Sequence, residues 1–64
     1  MILRNLLSMV KDTKIDLYVN GKEVGVYANT ESVKEESMYQ NYVLTELTTR
    51  IIEDNAILVV KVAR

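Results

Sequence analysis

Apolar residues fall along this chain in two rhythms, one helical and one extended. Ile2, Leu3, Leu6, Leu7 and Val10 recur at the i, i+4, i+8 spacing of a helical stripe, leaving Arg4, Asn5, Ser8 and Lys11 for the opposite side. The spacing predicts a short amphipathic helix over residues 2–11. A helix of about ten residues is not stable alone, so it must dock on the rest of the chain. From Lys14 to Tyr27 the period changes to two, broken at Asn20-Gly21. Asn-Gly suits a type I′ hairpin, in which both loop residues need positive φ. With that loop, Val19 faces Lys22, Leu17 faces Val24 and Ile15 faces Val26, so Ile15, Leu17, Val19, Val24 and Val26 gather on the core face. The outer face collects Lys14, Asp16, Tyr18, Glu23, Gly25 and Tyr27. Gly25 is expected there as a tolerated weak spot, with a bulge or a close backbone approach as the alternatives.

Two readings compete for residues 28–47. Asn29, Thr30 and Ser32 all suit a helix N-cap, and Ser32-Val-Lys-Glu35 and Ser37-Met-Tyr-Gln40 both match the capping-box pattern. Tyr39, Tyr42, Val43 and Leu47 form a helical stripe, which places a helix at 37–46, preceded by a turn of helix at 31–36. The rival reading starts a strand at Tyr42-Val-Leu-Thr, residue types that suit a pleated surface.

Leu47 to Arg64 reads as a second hairpin, closing on Ala56–Val62, whose run Ile57 to Val60 presents hydrocarbon to both faces of a sheet. An Asp54-Asn55 loop sets Ile52 against Ile57, Ile51 against Leu58 and Thr49 against Val60. One face then carries Leu47, Ile51, Leu58, Val60 and Val62. The second carries Ile52, Ile57 and Val59 beside Thr48, Arg50 and Lys61, and must meet the helices or another copy of the chain. A three-residue loop would change both faces. The predicted fold is α+β, one domain over residues 1–64 in the order αββαββ, with two antiparallel β-hairpins and helices packed on the sheet.

Composition narrows what such a fold can do. At 64 residues, a domain buries roughly 60% of its unfolded surface and keeps only a few kcal/mol of stability, so small domains add disulfides, metals or partners. With no Cys and no His, self-association is the remaining aid, and a homodimer is one expected state. The same absences remove the thiol nucleophile and the commonest general base, and no Ser or Thr hydroxyl lies beside a recognisable base, so no catalytic residue, cofactor or metal site is assigned. Glu31, Glu35, Glu36 and Glu53-Asp54 are acidic, but helix first turns and hairpin tips explain them without a cation. Eight basic against nine acidic residues, with no long run of either sign, speak against nucleic acid as a partner. No stretch approaches the about 18 apolar residues of a membrane span, and no signal-peptide pattern opens the chain. The expected location is the cytoplasm.

Two of the four tyrosines, Tyr18 and Tyr27, fall on the outer face of the first hairpin, where Thr, Lys or Glu would suit water better. With Asp16 and Glu23 beside them they form the candidate partner-binding surface. The ordinary alternative is good β-propensity with the hydroxyl in water, or a helix covering both rings.

The succession of a short apolar helix, D-T-K-I-D-L-Y-V-N-G-K-E-V-G-V-Y, a helix, and I-I-E-D-N-A-I-L-V-V-K-V resembles small proteins of phages and mobile elements of Gram-positive bacteria. These share an opening like D-T-x-I-x-I-x-x-N-G and an ending like x-I-x-x-N-x-L-V-I-x-V. The resemblance spans nearly the whole chain and carries over no functional residue. Some proteins of that size class inhibit bacterial defence systems, anti-CRISPR proteins among them. Small size, the absence of catalytic residues and the outward tyrosines lead to the expectation of a non-enzymatic, phage-derived binding protein that acts by steric occlusion of a host protein; the alternative is an assembly protein whose partner is itself.

Overall fold

The computed structural model describes all 64 residues. Helix α1 spans Leu3–Met9, shorter than the stripe predicts, because Ile2 and Val10 at its ends are both extended. Its Leu3, Leu6 and Leu7 are buried. Past the helix, the Asp12 carboxylate accepts from the Thr30 backbone N–H at 2.9 Å and from its hydroxyl at 3.3 Å, tying this loop to the start of the second helix.

Strands β1 (Lys14–Val19) and β2 (Lys22–Tyr27) form the predicted hairpin, and Asn20 and Gly21 have the positive φ values, 52° and 85°, that the loop requires. Val19 pairs with Lys22 as expected, but then the register shifts: Leu17 lies opposite Gly25 and Ile15 opposite Tyr27. Val24 is the extra residue of a β-bulge. Gly25 makes the bulge possible, since its φ of 156° is rarely adopted by residues with a side chain; no atom lies close enough for it to mark a close approach. Beyond the bulge the faces exchange. Tyr27, expected outside, packs against the core, while Val24 and Val26, expected inside, are exposed. Turning Tyr27 inward buries a large ring in place of a valine.

Helix α2 is brief, Thr30–Lys34, capped by Asn29, whose side-chain oxygen accepts from the Ser32 N–H at 2.9 Å. A single 3₁₀ turn follows at Ser37–Tyr39. The helix predicted over 37–46 is therefore absent, and strand β3 already runs from Val43 to Ile52. Backbone bonds explain the outcome: Leu3 N–H donates to Tyr42 at 2.9 Å and Leu44 N–H to Met1 at 2.8 Å, with Ile2 bridging Val43. These long-range partners hold the chain extended where the local stripe allows either state. Tyr39 and Tyr42 instead stack edge-to-face, centroids 5.4 Å apart, against the core.

Strand β4 (Asn55–Ala63) closes the second hairpin through Glu53-Asp54, both at positive φ (49° and 65°), one residue earlier than the predicted loop. Ile52 thus pairs with Asn55 and Leu47 with Val60. Moving the loop by one residue moves every pairing by two, so the side chains keep their predicted faces. Leu58, Val60 and Val62 join or pack on the core, whereas Leu47 and Ile51 lie exposed on the same side.

The strand order is β2-β1-β4-β3, with β1 and β4 parallel, so the two antiparallel hairpins meet in one mixed sheet with two helices on it. One face of the sheet meets both helices: Leu3, Leu6, Leu7 and Val33 close on Ile15, Leu17, Val60 and Val62. Burying each such side chain contributes about 1.5–3 kcal/mol. No element packs on the other face. No helix is long and apolar enough to cross a membrane.

Candidate functional site

The open face is laid out by strand alternation. It carries Glu23 and Val26 from β2; Lys14, Asp16 and Tyr18 from β1; Ile57, Val59 and Lys61 from β4; and Glu46, Thr48, Arg50 and Ile52 from β3. Three basic and three acidic side chains share it.

At its centre Asp16 is fully buried although no layer covers it. Val26 and Val59 flank it on the neighbouring strands, and Arg50 reaches it from β3, donating from Nη2 to Oδ2 at 2.5 Å. Asp16 and Arg50 stand on either side of β4, so the guanidinium stem must cross that strand, and Ile57 and Val59 are buried beneath such cover. Arg50 itself stays 44% exposed. Asp16 Oδ1 is also buried and has no donor among the other groups of the fold. Glu23 stands next to it: the Asp16 carboxylate, as an acceptor for the protonated form and then as a negative charge, raises the Glu23 carboxyl above the usual carboxylate range, against the pull of Arg50. A second polar line crosses the face alongside: Lys61 lies 5.2 Å from the centre of the Tyr18 ring and 3.6 Å from the Glu46 carboxylate. The exposed apolar side chains stand at the margins of these lines, Val26 on β2 beside Asp16 and Ile52 on β3 beyond Arg50, 53% and 43% exposed.

Of the residues assigned from sequence to a contact surface, Asp16, Tyr18 and Glu23 come together here, Asp16 as a buried anchor. Tyr27 does not, because the bulge turns it to the helix side. Burial there pushes its hydroxyl above the usual phenol range, and Glu36 adds to this by charge and hydrogen bond. Nothing in the sequence pattern marks Arg50, Lys61, Glu46 or Val26 as contact residues. Strand alternation puts Arg50 and Lys61 on the face of their hairpin that they occupy, but only the β1–β4 seam, which joins the hairpins, shows that this face and that of Asp16 are one. No trio of acidic side chains converges anywhere, and no pocket indents the surface. No protein-family model, curated protein or solved structure matches the chain.

Proposed function

We propose that this chain is a small, non-enzymatic protein-binding module that docks through the open face of its sheet and acts by covering a surface of another protein. The observation that carries this reading is the uncovered face itself, where two lines of polar groups are already paired within the fold and Val26 and Ile52 stay exposed at their margins. Groups held in place before contact lose less freedom on binding. The face is shallow, which suits another macromolecular surface better than a small molecule. Its equal numbers of acidic and basic side chains suit a protein rather than a phosphate backbone. The resemblance to phage proteins adds that the partner is a bacterial host protein.

The test is capture from a host lysate by the wild-type chain and by Tyr18→Ala/Val26→Lys. Both positions lie on the open face, and Val26 is exposed, so the variant should fold, as circular dichroism would verify. Loss of a specific retained protein supports the assignment; an identical set retained by both chains removes this face from consideration.

A further inference from the structure

The sheet ends in two very different edges. β2 is six residues long, bulged and broken by Gly25, features that discourage further pairing. β3 is ten residues long and regular from Glu46 to Ile52, with no proline or lysine. Its outer side is occupied only at the start, where Met1 and Ile2 bond to Leu44 and pair with Val43. Hydrogen bonding alternates along an antiparallel pair, and Ile52–Asn55 closes the two-residue loop as a bonded pair. The N–H and C=O groups of Leu47, Thr49 and Ile51 therefore point away from β4, into water.

Those three residues read alike in both directions about Thr49, with an aliphatic side chain two places to either side. We propose that two copies of the chain associate through this edge, β3 against β3 in antiparallel register with the two-fold axis at Thr49, joining two four-stranded sheets into one of eight. This register sets Thr49 against Thr49 of the second copy and Leu47 against its Ile51, twice. All three pairs are of the bonded type, two backbone bonds each. Leu47 and Ile51, the latter 74% exposed in the single chain, then form two apolar cross-strand pairs on the helix side, one on each side of the Thr49 pair. The segment that caps Leu44 falls beyond the paired span, so both ends of β3 are accommodated. The occupant is a second copy because the pattern is self-complementary; an unrelated strand has no reason to match it. The open face stays free, so this association and the proposed docking stand or fall separately.

Thr49 is exposed, so charged variants should fold. Thr49→Lys places like charges opposite each other at the axis, and so does Thr49→Glu. Sedimentation of the wild type should give twice the 7.3 kDa chain mass, each variant alone should give the single mass, and an equimolar mixture of the two should return to the doubled mass. A wild type that stays at single mass at millimolar concentration overturns the proposal, as does a doubled mass indifferent to both variants. The register is tested by disulfide trapping, since directly bonded pairs lie about 5.5 Å apart at Cα, within the range of a disulfide. Thr49→Cys should cross-link at least tenfold faster than Thr48→Cys; the reverse order overturns this axis.

Discussion

β1 and β3 are both rich in aliphatic and β-branched residues, yet the first buries three consecutive residues and the second none. The difference lies in position. β1 is an inner strand with a neighbour on each side and helices above, so even Asp16, on the uncovered face, is sealed by Val26, Val59 and Arg50. β3 is an edge strand whose outer half extends beyond the helices. The comparison teaches that in a sheet this small, burial is decided by the number of neighbouring strands as much as by the hydrophobicity of the strand itself.

Substitutions on the two strands should therefore diverge. Leu17→Ala on β1 is expected to cost about 2–5 kcal/mol, enough to unfold much of the population, whereas Leu47→Ala on β3 should cost under about 1 kcal/mol; urea midpoints compare them directly. Next in size is Arg50→Ala, expected to cost about 2–4 kcal/mol because it leaves Asp16 buried without its cation. The double variant Arg50→Ala/Asp16→Ala should lose less than the sum of the single changes. Equal additivity would show that the ion pair does not couple the hairpins. Gly25→Ala should cost about 1–2 kcal/mol through its backbone conformation alone, as nothing crowds the site.

The smallest effect concerns pH. The Glu23 carboxyl is raised in the folded chain, so the folded state holds this proton more tightly than the unfolded state does. Its contribution is complete below the unfolded value and is lost as pH rises through the raised one. Stability followed from acid to neutral pH should carry a downward component over that window in the wild type. Glu23→Gln, which keeps a donor and cannot ionise, should abolish it; an unchanged profile would mean that the Glu23 carboxyl does not contribute to the pH dependence of stability.

The two hairpins were legible to different degrees, and for opposite reasons. In the first, Asn20-Gly21 announces its own turn, but the bulge at Val24 exchanges the faces downstream, because Tyr27 gains more from the core than Val26 would. In the second, the turn falls one residue early, yet Leu58, Val60 and Val62 reach the core because a shift of two residues preserves alternation. Tyr39, Tyr42 and Val43 satisfy a helical period and a β-prone composition together, and only the partners Met1 and Leu3 decide between them. The Asp16–Arg50 pair spans 34 positions across a parallel seam that leaves no local mark. Half of the open face was thus readable, and its junction was not.

That parallel seam also shapes how the chain reaches its native state. Each hairpin closes over a few residues and can form within about 1–10 μs, but β1 meets β4 only when segments about 40 residues apart come together. Docking of the two hairpins is therefore expected to limit the folding rate. Substitutions at Ile15, Leu17, Val60 or Val62 should slow refolding, while changes at either turn mainly alter how often each half is ready to dock.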